Sequence, residues 1–325
     1  MKILVTGAGG FIGSHLVERL VSAGHDVRAL VRYNGRGDQG HLKALPDELR
    51  TSLEVVTGDI TDASYMRRLV DGCDAVCHLA ALIGIPYSYE APRSYVDTNV
   101  LGTLNILEAC RDANTSRVVI TSTSEVYGTA RYAPIDEAHP LQGQSPYSAS
   151  KIGADKLAES FFNSFDLPVV TLRPFNTFGP RQSARAIIPT VLTQAISGVT
   201  EIQLGSLDPQ RDLTFVSDTA EGFRLAVETP GIEGQTIHFG SGKAVTIGDL
   251  AQRCLDVVGS SAKIVSANDR IRPAKSEVGL LLCNPEKANT LLGWKPQVTL
   301  DEGLARTADY LQRNLAAYDP LRYTV

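Results

Sequence analysis

The first thirteen residues contain the feature that most constrains the fold, an apolar strand that leads directly into three glycines. Residues 2–13 read K-I-L-V-T-G-A-G-G-F-I-G. Gly7 allows a sharp turn out of the strand, Gly10 allows the backbone to approach a pyrophosphate, and Gly13 allows the next helix to pack closely on the sheet. A glycine-rich turn without a ligand is the alternative. The pattern predicts a dinucleotide site in which a helix beginning near Phe11 points its N-terminus at the phosphates.

A second group of polar residues follows a later apolar strand. Residues 118–120 read V-V-I and lead into T-S-T-S-E-V-Y-G, which places polar side chains at the strand end that faces the ligand crevice in parallel sheets. Further on, S-P-Y-S-A-S-K opens a helix in which Tyr147 and Lys151 are one turn apart on the same face. A neighbouring ammonium and an oxidised nicotinamide both favour the phenolate, so the pattern predicts a base, Tyr147, with a lowered pKa. A surface helix pair is the alternative for this spacing.

Strands and amphipathic segments alternate along the first half of the chain. Strands are expected near residues 2–6, 26–31, 53–57, 75–79, 117–121 and 169–172. The polar stretch at residues 33–40 is expected to be a loop near the adenosine end of the dinucleotide site. This alternation predicts a doubly wound parallel sheet of the α/β class.

Composition excludes several other classes of protein. The chain has 325 residues, 43% of them hydrophobic and 21% charged, which is enough to bury a substantial core. No apolar run approaches the roughly 20 residues of a membrane span, and the N-terminus reads as a strand rather than a signal peptide, so we expect a cytoplasmic protein without a membrane partner. A net charge of -5 argues against nucleic acid as a partner. Five cysteines without metal-ligand spacing indicate reduced thiols and no metal site.

Ordered motifs along nearly the whole chain resemble those of the extended short-chain dehydrogenases/reductases, the group that remodels nucleotide sugars. Besides the glycine segment, they are G-D-I at residues 58–60, H-L-A-A at 78–81, D-T-N-V-L-G-T at 97–103, R-P-F-N-T-F-G-P at 173–180, Q-R-D at 210–212 and L-G-W-K-P at 292–296. Within the group, S-T-S-E-V-Y-G followed by S-P-Y-S-A-S-K-I-G-A-D is similar to nucleotide-sugar 4,6-dehydratases, especially those acting on GDP-mannose or on nucleotide-linked N-acetylglucosamine.

The resemblance implies a division into two domains. Residues 1–174 and about 214–239 would form the dinucleotide-binding Rossmann domain. About 175–213 and 240–325 would form a smaller α/β cap that binds the nucleotide sugar. The resemblance also implies a homodimer in which helices containing Val100, Leu104 and Leu107, and Ile152, Leu157 and Phe161, pair across a twofold axis.

The end of the second strand raises the question of which cofactor is bound. NAD-binding relatives usually carry an acidic residue there, which accepts hydrogen bonds from the ribose, whereas this chain has Arg32. Arg32 can pair with the 2′-phosphate of NADP, with Arg36 as a second cation. Stacking of Arg32 on adenine would leave NAD acceptable, so we expect a tightly bound NAD(P), with NADP slightly favoured. The resemblance implies further cofactor contacts from Ile12, Asp59, Ile60, Leu79, Ala80, Ala81 and Asn99, besides Gly7, Gly10, Phe11, Gly13, Tyr147 and Lys151.

The resemblance also implies the chemistry. Tyr147 would remove the proton of the sugar's C4 hydroxyl while Thr123 holds the same oxygen, and Lys151 would bind the nicotinamide ribose. Glu125 would abstract the C5 proton, and either Glu125 or Ser124 would protonate the leaving C6 hydroxyl. Simple 4-epimerases usually lack a carboxylate at this position, which favours elimination of water.

Substrate contacts are expected from arginine and asparagine residues of the cap. Asn176, Arg211 and Arg272 match family positions that bind phosphates or ribose, and Arg185 lies in the same part of the chain. The expected ligand is a UDP- or GDP-linked sugar. The function predicted is a 4,6-dehydratase that forms a 4-keto-6-deoxy-hexose or hexosamine. UDP-glucuronate decarboxylase, nucleotide-sugar 4-epimerase and a non-catalytic dinucleotide sensor remain alternatives.

Overall fold

The computed structural model describes residues 1–267 and 276–318. The strands in chain order are β1 (Lys2–Thr6), β2 (Asp26–Arg32), β3 (Leu53–Gly58), β4 (Ala75–His78), β5 (Arg117–Thr121), β6 (Val169–Pro174), β7 (Asn176–Phe178), β8 (Glu201–Leu204), β9 (Gln210–Phe215), β10 (Thr236–Phe239), β11 (Ala244–Thr246), β12 (Lys263–Ser266) and β13 (Leu280–Leu281).

The α-helices are α1 (Phe11–Ser22), α2 (Asp47–Thr51), α3 (Ala63–Val70), α4 (Ile85–Glu90), α5 (Pro92–Tyr95), α6 (Gly102–Asp112), α7 (Pro146–Phe165), α8 (Ile187–Ile196), α9 (Val216–Glu228), α10 (Ile247–Val258), α11 (Glu286–Leu292) and α12 (Leu300–Arg313). Short 3₁₀ turns cover Gly40–Ala44, Ser124–Tyr127 and Leu315–Ala317, and a wider π-helical turn covers Val96–Leu101.

In the part of the chain that the structure describes, seven parallel strands form the main sheet in the order β10-β6-β5-β4-β1-β2-β3. Both faces of this sheet are covered, which explains why its inner strands β1, β4 and β5 are mostly apolar rather than alternating. In β1, Ile3 and Val5 pack into a core with α1 and α9, while Leu4 packs into a core with α3 and α6 on the opposite face. The predicted doubly wound parallel sheet is confirmed.

The predicted strands are all present, and their ends differ from the prediction by at most two residues. The fourth strand stops at His78 rather than at residue 79. The hydroxyl of Thr6 accepts hydrogen bonds from the backbone N–H groups of Leu79 and Ala80, each at 3.1 Å, and so the chain turns away there. Residues 33–39 are a loop, as expected, and the Gly40–Ala44 turn follows it.

Residues after β6 build smaller sheets beside the main one. Strand β9 pairs with β7, β11 and β13, and β8 pairs with β12. A separate core packs α8, α10 and α12 around Val191, Leu250 and Leu304. Strand β10 returns to the edge of the main sheet and pairs with β6. The division into two domains at the boundaries given above remains a prediction.

Candidate active site

The glycine turn between β1 and α1 is packed too tightly for side chains. Gly7 has φ +68°, and a Cβ there would lie 2.8 Å from the backbone nitrogen of Ala80. A Cβ on Gly13 would lie 2.1 Å from the carbonyl oxygen of Gly7. A Cβ on Gly10 would meet only that same oxygen, at 3.1 Å, so its other side is open. No side chain caps the N-terminus of α1, which leaves its first N–H groups available to phosphates.

A cleft of about 910 Å³ lies over this turn, at the carboxyl ends of the main-sheet strands. Nearly all of the residues predicted for the site line it: Gly7, Gly10, Phe11, Ile12, Gly13, Arg32, Asp59, Ile60, Leu79, Ala80, Ala81, Thr123, Ser124, Glu125, Tyr147, Lys151, Asn176, Arg185 and Arg211. The combination of tight glycines, free helix N–H groups and a long cleft fits a dinucleotide. Arg272 lies outside the described residues.

Asn99 does not line the cleft, contrary to the expectation of a cofactor contact. It is fully buried. Its side-chain oxygen accepts from the N–H of Leu82 at 2.8 Å, and its nitrogen donates to the Leu82 carbonyl and to the hydroxyl of Ser150, both at 2.9 Å. Asn99 therefore anchors the segment after β4 to α7, and its amide has no group left for a ligand.

The adenosine end of the cleft contains one exposed cation. The side chain of Arg32 is 79% exposed, and its Nε lies 3.6 Å from a carboxylate oxygen of Asp59. The other Asp59 oxygen accepts from the backbone and hydroxyl of Thr61. Arg36 lies on an exposed turn and does not line the cleft, so the expected second cation is not at this site.

Tyr147, Thr123 and Glu125 meet on one wall of the cleft. The Thr123 hydroxyl lies close enough to the Tyr147 phenol to lower its pKa, and the charge of Glu125 is near enough to raise it. Ser145 caps α7 with its side chain and fixes the helix start, which places Tyr147 in the first turn. The three side chains are thus positioned by the end of β5 and the start of α7.

The pKa of Tyr147 is raised in the protein alone. Burial raises the pKa of this phenol well above its usual value, despite the nearby Thr123 hydroxyl, which lowers it. The Lys151 ammonium donates to the Thr121 carbonyl at 2.7 Å. Burial lowers the pKa of Lys151, and the nearby charge of Asp155 raises it. The lowered pKa predicted for Tyr147 requires an oxidised nicotinamide beside the phenol as well as Lys151, so it remains a prediction for the protein with its cofactor bound.

The substrate end of the cleft contains two of the predicted arginines in different environments. Arg185 lies next to Gly84, where an added Cβ would be 2.8 Å from its Nη1, and its Nε is 3.3 Å from the hydroxyl of Ser183. Arg211 is buried, and its Nη2 lies 3.4 Å from a carboxylate oxygen of Glu277. A phosphate at Arg211 therefore has to compete with a carboxylate, which the sequence did not indicate.

Three buried polar residues beside the site were not predicted: Ser122, Asp155 and Arg173. Arg173 belongs to a recognised motif, but no role was assigned to it. Asp155 also has a spacing signal, because Tyr147, Lys151 and Asp155 are four residues apart on α7. In residues 1–267 and 276–318, no group of three or more His, Cys, Asp or Glu could hold a metal ion.

A sequence model of the family described as GDP-mannose 4,6 dehydratase matches residues 4–307. The chain belongs to this family. The recognition of an extended short-chain dehydrogenase/reductase of the nucleotide-sugar dehydratase group is confirmed. A dTDP-glucose 4,6-dehydratase of Streptomyces antibioticus is 34% identical to this family member over 326 residues, which cover 99% of this chain and 96% of the relative. None of the helices in the two described ranges is long and apolar enough to cross a membrane.

Two solved structures show how far the similarity of this family member extends. The DesIV double mutant of Streptomyces venezuelae, a dTDP-glucose 4,6-dehydratase with NAD and DAU bound, has a TM-score of 0.87 at 31% identity, covering 99% of this chain and all of DesIV (100%). The UDP-glucuronic acid 4-epimerase of Bacillus cereus, in complex with UDP-glucuronic acid and NAD, has a TM-score of 0.88 at 30% identity, covering 97% and 100%. The fold is thus shared by dehydratases and epimerases.

Buried histidines should make the protein sensitive to acid. Burial lowers the pKa of His15 to about 4, helped by the charge of Arg181, and burial lowers the pKa of His78 to about 3, helped by Lys151. These groups bind a proton at about pH 6.5 only when the chain is unfolded, so the free energy of unfolding should fall as the pH drops below that value. At pH 5 each should account for about 2 kcal/mol.

Urea unfolding at pH 7 and pH 5 measures this loss. His15→Gln should reduce the difference in the free energy of unfolding between pH 7 and pH 5 by the contribution of that one histidine. The control is His25→Gln, since that residue is ion-paired with Glu228 near the surface. Equal stability of the parent protein at both pH values would contradict the prediction.

Proposed function

We propose that this protein is an NAD(P)-dependent nucleotide-sugar 4,6-dehydratase, which converts a nucleotide-linked hexose or hexosamine to its 4-keto-6-deoxy form. The observation that supports this most strongly is the carboxylate of Glu125 beside Tyr147 and Thr123 on one cleft wall. Oxidation at C4 needs only the tyrosine and the threonine. A second acid–base group at the same place is what elimination of water requires.

The catalytic residues would act one after another in the reaction. Tyr147 takes the proton of the C4 hydroxyl, and Thr123 holds the same oxygen. A bound nicotinamide would supply the acceptor for the C4 hydride and the donor of the same hydride to C6. Because a ketone at C4 acidifies the C5 proton, Glu125 can remove that proton, and Glu125 or Ser124 donates one to the departing C6 hydroxyl. C5 regains a proton as the hydride returns to C6, so the two protons taken by Tyr147 and Glu125 end on the departing water and on C5. The products are a 4-keto-6-deoxy sugar and water, with no net change in the cofactor.

Lys151 has a supporting role in this proposal. It would hold the ribose of the nicotinamide and stabilise the phenolate of Tyr147. In the protein alone its ammonium contacts the Thr121 carbonyl at 2.7 Å, so this role needs a small rotation of the side chain toward the cleft. The positive charge of an oxidised nicotinamide also acts against the burial that raises the pKa of Tyr147.

The substrate is proposed to be a UDP- or GDP-linked sugar, with Asn176, Arg185 and Arg211 at its phosphates or ribose, together with Arg272 from outside the described residues. Asn176 is half-buried in the cleft wall, and its amide is 3.5 Å from the Asp212 carbonyl. Of the two described arginines, Arg211 is paired with the Glu277 carboxylate, whereas Arg185 contacts the hydroxyl of Ser183. We also propose a location in the cytoplasm.

A 4-epimerase is the second candidate, because an epimerase shares the fold at 30% identity. The test is incubation of the protein with a panel of UDP-, GDP- and dTDP-linked sugars, followed by mass spectrometry. A dehydratase yields a product lighter by one water, a uronate decarboxylase releases carbon dioxide, and an epimerase changes no mass. A dinucleotide sensor would turn over none of them. Mass-neutral conversion by the parent protein would refute the proposal.

The cofactor preference is proposed to be for NADP, because Arg32 presents an exposed guanidinium at the adenosine end. Arg32→Asp should shift the ratio of NADP to NAD affinity toward NAD by roughly tenfold to a hundredfold, since it replaces an attraction for the 2′-phosphate with a repulsion. Calorimetric titration with both nucleotides measures the ratio. Arg36→Asp is the control, because Arg36 is outside the cleft, and it should change the ratio little. Tighter binding of NAD by the parent would refute the preference.

A homodimer is proposed from apolar side chains left at the surface near α6 and α7. Leu101 is 47%, Val96 48% and Phe165 50% exposed. Leu107 and Phe161, which were expected in the same interface, are instead buried in the core of the chain. Light scattering at micromolar concentration should give twice the chain mass. Leu101→Lys should lower the measured mass toward that of one chain. Tyr132→Lys, at another exposed site, is the control, and a monomeric parent would refute the proposal.

A further inference from the structure

Three residues of α7, spaced four apart, contact three consecutive residues at the end of β5. The Tyr147 phenol lies beside the Thr123 hydroxyl on the cleft wall. Lys151 donates to the carbonyl of Thr121 at 2.7 Å. Between these two contacts, the hydroxyl of Ser122 donates to Oδ2 of Asp155 at 2.7 Å. The strand end is therefore held against the helix at Thr121 and Ser122, the two residues that precede Thr123.

Asp155 also connects this strand to its neighbour. The same Oδ2 accepts from Nε and Nη2 of Arg173 on β6, at 3.1 and 3.0 Å. All three residues are buried, with Asp155 4%, Arg173 6% and Ser122 5% exposed. One carboxylate oxygen is thus the junction of α7, β5 and β6, directly behind the catalytic wall.

Arg173 extends the network to the segment that contains Glu125. Its Nη1 donates to the hydroxyl of Tyr127 at 2.5 Å, and that hydroxyl also contacts Nε2 of His238 at 2.5 Å. Tyr127 is the last residue of the Ser124–Tyr127 turn, two residues after Glu125. The network therefore reaches Tyr147 through Ser122 and Thr123, and Glu125 through Tyr127.

Stability alone gives no reason for this arrangement. A buried ion pair loses hydration that its attraction seldom repays, and apolar replacements are often as stable. Here Oδ1 of Asp155 is buried with no hydrogen-bond partner among the described residues, which adds to the cost. What the pair does accomplish is rigid connection of two reactive groups that stand on different segments.

We infer that Asp155 and Arg173 are a positioning pair that holds the oxidation group, Tyr147 with Thr123, and the elimination group, Glu125, in register on one sugar. The inference rests on the proposed function. Neither residue touches substrate or cofactor. The Ser122 branch, which is the hydrogen bond from Ser122 to Asp155, controls the first step, removal of hydrogen from C4. The Tyr127 branch, which is the hydrogen bond from Arg173 to Tyr127, controls the second step, loss of water.

The test removes the hydrogen bond of each branch separately. Removal of Asp155 itself would leave the buried Arg173 guanidinium without its carboxylate and could prevent folding. Ser122→Ala cuts the first branch and Tyr127→Phe cuts the second, and both retain the Asp155–Arg173 pair. Thr193→Val is the matched control, since the Thr193 hydroxyl is equally buried but donates within α8 to the Pro189 carbonyl at 2.7 Å. Urea unfolding and calorimetric affinity for the nucleotide sugar are measured for every variant.

Single-turnover absorbance then separates the two steps. Ser122→Ala should slow the appearance of reduced nicotinamide by about tenfold, the equivalent of one hydrogen bond, and should not accumulate it. Tyr127→Phe should leave that first step unchanged. It should slow the elimination of water by about tenfold, and reduced nicotinamide should therefore accumulate. Sugar affinity should stay within about twofold of the parent in both, as in the control.

Equal slowing of both steps in either variant, unchanged rates in both variants, or loss of sugar affinity in place of rate would overturn the inference. Failure of the proposed function is a separate result. If the parent converts its sugar without loss of water, the dehydratase proposal fails. The inference is then tested only by the rate at which reduced nicotinamide appears in Ser122→Ala, because epimerisation also begins with oxidation at C4.

Discussion

Tyr147→Phe is expected to block the reaction at its first step. Without the phenol, no group at this position can take the proton of the C4 hydroxyl, and the rate should fall by about 10²–10⁴-fold. No absorbance of reduced nicotinamide should develop when substrate is added. The ring itself packs edge-on against Tyr95, with centroids 6.2 Å apart, so the phenylalanine should fold normally.

Tyr95→Phe is the matched control for this substitution. Its hydroxyl donates to the carbonyl of Gly84 rather than facing the reacting atoms, and so its loss should leave the oxidation step close to that of the parent. Substantial reduced nicotinamide from Tyr147→Phe would move the base to another residue.

Glu125→Gln is expected to stop the reaction one step later. The amide is nearly the same size as the carboxylate, so binding of cofactor and sugar should be retained, but it cannot accept the C5 proton. Product formation should fall by about 10²–10⁴-fold, and reduced nicotinamide should accumulate on the enzyme. Rapid-mixing absorbance and mass spectrometry of the same sample measure both effects.

Ser124→Ala distinguishes the two possible proton donors to the leaving hydroxyl. If Ser124 donates, this variant also accumulates reduced nicotinamide, and if Glu125 both accepts and donates, it does not. Near-parental turnover of Glu125→Gln would show that the carboxylate has no part in elimination, and the epimerase alternative would then be favoured.

The main sheet was predictable from the sequence because its strands are buried on both faces. Burial on both faces makes the inner strands mostly apolar, and the glycines and polar residues that follow mark where they end. The smaller sheets gave no such signal. Strand β13 has two residues and β7 and β11 have three each, too few for any periodicity to be visible.

The site was predictable where its residues are close in sequence and not where they are distant. Tyr147 and Lys151 lie one helical turn apart, and their helix and spacing were evident. The pairing of Arg211 with Glu277 joins residues far apart in the chain, as does that of Arg173 with Asp155. The direction of the Tyr147 pKa shift depends on burial, which only the packed structure shows.

The position of β10 in the main sheet has a consequence for how the chain acquires its structure during synthesis. Strand β6 lies inside the sheet only because β10, made much later, covers its outer side. Until residue 239 leaves the ribosome, the nascent sheet therefore presents β6 as an uncovered edge with unpaired backbone groups, the kind of surface on which chains aggregate. The interval between these two strands is when the growing chain most needs a chaperone.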